Sequence, residues 1–312
     1  MMTVRGGGRA IGAVVGMLVL PLALALVEGL QFHLRFRENG SMMSSGVKRE
    51  YLVYVPKRYD RTKATPLVIS LHGAGLWGSA QMETSKWNRV ADREGFIVVY
   101  PSGVKGAGPR AWREEGGSKE ARDVRFISEL IDKLRATYNI DPQRIYANGL
   151  SNGGGMSFAL SCALSDRIAA VGLVAPAIFL PWRDCRNERA VPMIQFFGTA
   201  DPTLPYRGGT SWVTPGRIHR FPDIPKWVAT WAQRNGCAPD VANTTVAADV
   251  SRSSYGHCVG DAAVVLYTIE GGGHTWPGGG ELPEWFAGRT SRSIDASTLM
   301  WEFFREHPMP GN

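Results

Sequence analysis

Arg144-Ile-Tyr-Ala-Asn-Gly-Leu-Ser-Asn-Gly-Gly-Gly-Met156 decides how the rest of this 312-residue chain is read. The short apolar run Ile145 to Ala147 enters a Gly149-x-Ser151-x-Gly153 turn, and Met156 to Ala163 leaves it as a helix-compatible run. Strand, sharp turn and helix, in that order, form the context in which a G-x-S-x-G turn presents its serine as a nucleophile. The glycines have a steric role: so tight a turn strains the serine backbone and brings neighbouring chain too close for a Cβ. Ser151 Oγ is then expected at a helix N-terminus, where backbone N–H groups and the helix dipole favour developing negative charge. A glycine-rich loop with an incidental serine shows the same local pattern, so the residues downstream carry the argument.

Working outward, Pro66 to Leu71 and Phe96 to Tyr100 upstream, and Ile168 to Val174, Pro192 to Phe197 and Val264 to Ile269 downstream, are apolar runs suited to buried strands. Helical segments alternate with them. Ser79 to Glu94 reads as one helix ended by Gly95, and Asp123 opens a second with Val124, Ile127, Leu130, Ile131 and Leu134 on one face. Asp223 can cap a third, with Pro225 in its first turn, and Asp295 to His307 closes the chain. This alternation predicts an α/β fold, a mostly parallel central sheet with helices on both faces. Before it, Phe32, Leu34 and Phe36 alternate with His33, Arg35 and Arg37, Asn39-Gly40 reads as a turn, and Tyr51 to Val55 as a strand. These form an expected antiparallel start to the sheet.

In open parallel sheets ligands bind at the carboxyl ends of the strands. Ser151, Asp201 and His274 each follow an expected strand there, in the chain order serine, acid, histidine. A serine hydroxyl is a weak nucleophile, so an imidazole must take its proton and a carboxylate must hold that imidazole in the right tautomer. His274 is the candidate base. Asp201 is the candidate acid, with Asp223 in reserve; Asp166, Asp184 and Asp240 lie in helix-end or loop contexts. The remaining histidines fit less well: His33 and His72 precede the turn, His219 and His257 follow no clear strand, and His307 lies on the closing helix. His72 reads as a brace for the His72-Gly-Ala-Gly75 loop. That loop is expected to offer an N–H, from Ala74 or Gly75, that joins the N–H of Asn152 in holding an oxyanion. Trp77, Trp112 and Trp276 sit on loops expected to line the pocket and are the candidate substrate-binding residues, suited to flat or apolar acyl groups; core or rim packing is the alternative for each.

The first 27 residues differ in kind. Arg5 and Arg9 precede an uncharged run from Ala10 to Val27, with Ala23-Leu24-Ala25 at a plausible cleavage site. We read 1–27 as an export signal, or an uncleaved membrane anchor over residues 10–27, and 28–312 as one α/β domain, placing the protein outside the cell or in the periplasm, membrane-anchored if the segment stays uncleaved. Four cysteines then favour disulfides. Of three connectivities, the sequence-local one, Cys162 with Cys185 and Cys237 with Cys258, closes short loops. His257 beside Cys258 is a weak hint of metal without further ligands nearby, so no metal site is expected. The net charge is +7, but Lys and Arg are scattered, which argues against a nucleic-acid partner.

Taken together, Leu71-His-Gly-Ala-Gly75, Gly149-Leu-Ser-Asn-Gly-Gly154, Gly198-Thr-Ala-Asp-Pro202 with Pro205-Tyr206 and Gly208-Gly209, Asn235-Gly-Cys237, and Gly272-Gly-His-Thr-Trp-Pro-Gly278 resemble the secreted serine esterases of the polyhydroxybutyrate depolymerase and feruloyl esterase group. The resemblance covers nearly all of the chain after the signal. It implies an α/β-hydrolase fold, carboxylic ester hydrolysis without metal or cofactor, Ser151, Asp201 and His274 as a triad, and the local cysteine pairing. Small-molecule or oligomeric esters are the implied partners, with a membrane involved only if the N-terminal segment stays uncleaved. Two departures stand out: Phe197 occupies a position where the group usually has histidine, and Arg122 and Arg125 flank Asp123, which could change the pocket's charge. The 38 residues after His274 leave no room for a separate polymer-binding module. Soluble short-chain, hydroxyalkanoate-oligomer or hydroxycinnamoyl esters are therefore expected ahead of solid polymer. An acyltransferase on the same fold and a non-catalytic binding protein are the alternatives.

Overall fold

The computed structural model describes residues 38–105, 109–113, 118–214 and 217–311. The alternating segment at Phe32 to Phe36 and the apolar run at 10–27 lie outside them. β1 (Gly40–Ser44) and β2 (Val47–Tyr54) form an antiparallel hairpin. Its turn falls at Ser45-Gly46, both with positive φ, and not at Asn39-Gly40. Asn39 instead extends the sheet edge, its side chain accepting from Val53 N (2.7 Å) and donating to Val53 O (2.8 Å).

After β3 (Thr65–Leu71), the expected single helix is two, α1 (Gly78–Ser85) and α2 (Trp87–Glu94). Lys86 breaks it by adopting the left-handed conformation, φ 57°. There follow β4 (Ile97–Pro101), α3 (Arg122–Thr137), β5 (Ile140–Leu150), α4 (Asn152–Ala163), β6 (Ala170–Val174) and β7 (Met193–Gly198). β8 (Arg207–Thr214) and β9 (Arg217–Asp223) make a separate hairpin before α5 (Ile224–Arg234). β10 (Val241–Ala247), β11 (Val250–Tyr255), β12 (Val264–Ile269), the short α6 (Glu284–Ala287) and α7 (Ala296–Glu306) complete the chain.

The large sheet has the order β1-β2-β4-β3-β5-β6-β7-β12-β11-β10. Its six central strands are parallel, and an antiparallel pair flanks them at each edge. Period-two geometry sends alternate residues to opposite faces. Leu67, Ile69 and Leu71 pack with α3, α4 and α5 on one side, whereas Val68, Val98 and Tyr146 pack with α2 and α7 on the other. Both faces are covered, which is why these strands are mostly apolar, Ser70, Asn148 and Gln195 being buried polar exceptions. Cys162 is joined to Cys185, and Cys237 to Cys258. Among the described residues no helix is long and apolar enough to cross a membrane.

The loops leaving the carboxyl edge are held by buried polar groups. His72, at the end of β3, is fully buried; its Nδ1–H donates to Gly73 O (2.7 Å) and its Nε2 accepts from Gly103 N–H (2.9 Å), tying two loops together. Only the neutral ring can make both bonds. Asp123, in the first turn of α3, accepts from Arg49 on β2 (2.7 Å) and from Arg113 N–H (2.7 Å). Its ion pair with Arg49 is buried on both sides. Arg122 and Arg125 are exposed and outside the cavity lining, so they do not set the pocket's charge as expected above.

Desolvation of the buried ring pulls His72 down to about 4 from its ordinary 6.5. Unfolded, the imidazole takes up its proton near 6.5; folded, it resists until about 4. Its contribution is therefore complete above pH 6.5 and lost as pH falls toward 4, where the loss amounts to about 3 kcal/mol. Denaturant unfolding from pH 7 to 4 is expected to show this loss in the wild type and a shallower one in His72→Gln. Equal slopes would show that His72 does not bind its proton differently on folding.

Candidate active site

β5 runs into α4 through Ser151, which has φ 56° and ψ −121°. A non-glycine residue there is strained by about 1–3 kcal/mol, and surrounding structure must hold it. Here it is held on several sides. Ser151 N–H donates to Val174 O (2.9 Å), while Ser151 O accepts from Gly155 N–H (3.0 Å) and Ala177 N–H (2.9 Å). A Cβ on Gly153 would sit 2.2 Å from Leu71 O, and one on Gly149 would sit 2.4 Å from Gly153 C, so neither position accepts another residue. Helix α4 consequently starts at Asn152, earlier than the Met156 read from the sequence, with the glycines inside its first turn.

Asp201 follows β7 in a tight turn. Its Oδ1 accepts from the N–H groups of Thr203 and Leu204, each at 2.8 Å, and its Oδ2 lies 2.8 Å from His274 Nδ1. The carboxylate is wholly buried. An ionised carboxylate only accepts, so Nδ1 carries the hydrogen and Nε2 of the neutral ring is left as a base. His274 lies beyond β12, its own N–H donating to Ala287 O (2.6 Å), which fixes the ring's segment against α6. Asp223, the reserve acid, is spent elsewhere: it caps α5 by accepting from Lys226 N–H. His257 follows β11, an antiparallel strand near the sheet edge, and the sulfur of Cys258 beside it is bonded to Cys237, which removes it as a thiolate ligand.

Ser151 and His274 both line a cavity of about 1230 Å³. Gly73, Ala74 and Gly75 form one wall near Ser151. Gly75 N–H is taken by Arg110 O (2.7 Å), which leaves Ala74 as the donor candidate in that loop. Asn152 pins the next loop: its amide accepts from Trp112 N–H (2.6 Å) and donates to Trp112 O (3.1 Å). Trp112 lines the cavity, with its indole N–H on His72 O (2.9 Å).

The other two tryptophans are placed differently from expectation. Trp276 is buried in the core and donates to Ser297 Oγ (3.1 Å), because its loop turns inward against α7. Trp77 stands at the start of α1, outside the cavity lining, bonded to Ser79 Oγ (2.7 Å). Besides Trp112, the aromatic lining comes from Phe179 and Phe286, which sequence reasoning missed, as it did the lining residues Asp184, Thr210, Ser211 and Leu282. None of these lies in a motif, although Asp184 stands beside Cys185 and Thr210 directly follows Gly208-Gly209. Phe197, the departure before Gly198, is buried against Tyr206 and does not reach the cavity.

Known proteins share this framework. The chain is 35% identical over 234 residues to feruloyl esterase B of Piromyces equi, covering 72% of this chain and 42% of that protein. It is 32% identical over 170 residues to a bifunctional acetylxylan esterase/xylanase of Neocallimastix patriciarum, covering 54% of this chain and 24% of the relative. The chain thus spans less than half the length of both relatives. Among solved structures, an acetyl xylan esterase from Aspergillus awamori superposes with a TM-score of 0.59 at 15% identity, covering 82% of this chain and 94% of that one. That likeness, with the six-stranded parallel centre, is the α/β-hydrolase fold. Residues 49–185, which include Ser151 and the loop at His72, match the family model described as Esterase PHB depolymerase, and this segment belongs to that esterase family.

Proposed function

We propose that the protein is a serine carboxylesterase in which Ser151, His274 and Asp201 form the catalytic triad. The observation that carries this reading is the His274 Nδ1 to Asp201 Oδ2 contact of 2.8 Å on a cavity that Ser151 shares. Ser151 Oγ forms the bond to the ester carbonyl carbon, its proton passes to His274 Nε2, and the carbonyl electron pair moves onto oxygen. The oxyanion is stabilised by Ala74 and Asn152 N–H, donors already oriented before charge develops. Collapse expels the alcohol, which takes the proton from His274. Water then attacks the acyl-serine with His274 again as base, releasing the acid and restoring the hydroxyl. Asp201 keeps its proton-accepting character throughout and stabilises the imidazolium.

The cavity wall is mostly apolar, with Leu76, Leu150, Leu180, Phe179 and Phe286 in it, and suits short acyl or flat aromatic groups. Soluble short-chain, hydroxyalkanoate-oligomer or hydroxycinnamoyl esters are the proposed substrates, and the names of the two relatives, for feruloyl and acetylxylan esters, support this range. Residues 1–27 are proposed as an export signal or anchor and 28–312 as the esterase domain. Two disulfides, which persist in oxidising compartments, support export.

Turnover of p-nitrophenyl acetate and methyl ferulate tests the assignment. Ser151→Ala is expected to abolish it, and Asp201→Asn to lower kcat by on the order of 10⁴. Asp223→Asn, which only weakens a helix cap, is expected to stay within a few-fold. A larger loss in Asp223→Asn than in Asp201→Asn would refute Asp201 as the acid.

A further inference from the structure

Among the described residues, Asp184 is the only acidic one in the cavity lining, and no Lys or Arg lines that cavity. It is the last residue of a 3-10 turn, Trp182–Asp184, directly before Cys185. The disulfide from Cys185 to Cys162 ties this turn to the far end of α4, whose other end follows Ser151. At 1.5 Å per residue, about 16 Å of helix separates Ser151 from that disulfide. Asp184 therefore faces the part of a bound ester remote from the scissile carbonyl.

Its charge is poorly compensated inside the cavity. The cation bridged to it is its neighbour Arg183, with Nε 3.9 Å away on a side chain 83% exposed, where water screens the pair. Arg234, close by, donates instead to Cys185 O (2.8 Å) and lies 5.4 Å from the Trp182 ring. On the cavity side, Asp184 looks onto the apolar wall that holds Phe179, Leu180 and Phe286, which screens charge less than water. A carboxylate brought onto that wall meets a like charge, while a neutral or cationic group does not.

We propose that Asp184 is a specificity-determining residue of this cavity, which admits esters whose remote group is neutral or cationic and excludes those bearing a free carboxylate there. This rests on the esterase reading and narrows it: of the proposed substrates, hydroxyalkanoate oligomers ending in a free acid are disfavoured against uncharged hydroxycinnamoyl or acetyl esters.

Matched pairs test it on the wild-type protein and Asp184→Asn. One arm places the charge on the acyl side, comparing p-nitrophenyl hydrogen adipate with methyl p-nitrophenyl adipate. The other places it on the alcohol side, comparing 4-carboxyphenyl acetate with 4-(methoxycarbonyl)phenyl acetate, each corrected for its hydroxide-catalysed rate. In at least one arm, wild-type kcat/KM is expected to favour the neutral ester by about tenfold or more, the scale of a single uncompensated like-charge contact. The arm that shows it identifies the side Asp184 reads. Asp184→Asn is expected to bring the ratio within about threefold, and raising salt to narrow it in the wild type. A wild-type ratio near one in both arms, or a ratio unchanged in Asp184→Asn, overturns the proposal. Should the variant not fold, a wild-type ratio insensitive to salt overturns it as well. Failure of the wild type to hydrolyse any of the four esters is a separate result, which refutes the esterase reading and this inference with it.

Discussion

The close approach of β5 and α4 to the end of β3 is the constraint on which the rest of the site depends. Gly153 lies against Leu71 O with no space for a Cβ, and Gly149 lies against Gly153. Only that contact lets the helix begin immediately after Ser151, and it leaves the serine at φ 56° with its hydroxyl on the cavity. The strain is local, but it is held by distant elements: the carbonyl of Val174 on β6 and the N–H of Ala177 both bond Ser151. Covering both faces of the sheet makes those elements rigid enough to hold the turn.

Around this turn, the walls of the cavity are fixed by polar groups that have left water. His72 joins the loop after β3 to that after β4, Asn152 clamps the backbone of Trp112, and Asp123 holds Arg113 while paired with Arg49. Burial of an ion pair contributes little net stability, since desolvation offsets attraction. What these groups supply is a single arrangement of the two loops after β3 and β4, because each unpaired alternative would strand a buried donor or acceptor. Gly75 N–H is committed to Arg110 O, which leaves Ala74 as the proposed oxyanion donor of its loop.

The sequence was most informative where local chemistry and tertiary packing demand the same residues. The central strands were legible because burial on both faces leaves no room for polar alternation, and Ser151, Asp201 and His274 because each follows such a strand. The edge was harder. β10, Val-Ala-Asn-Thr-Thr-Val-Ala, is exposed, and its polar residues sit together at the centre, so no hydrophobic period marks it. The break at Lys86 carries no glycine or proline to announce it. Cavity residues were the least legible: Phe179 and Asp184 come from one segment and Phe286 from another about a hundred residues on, and no motif distinguishes them from Trp276, which folds inward.

The central claim is that a strained serine at the start of α4 is made nucleophilic by a buried carboxylate and imidazole. Reaction with a fluorophosphonate, followed by peptide mapping on a mass spectrometer, tests it most directly. The account predicts one adduct per chain, on the peptide containing Ser151, formed rapidly in the wild type and far more slowly in His274→Ala. An adduct on another residue, or none at all in folded protein, would contradict it.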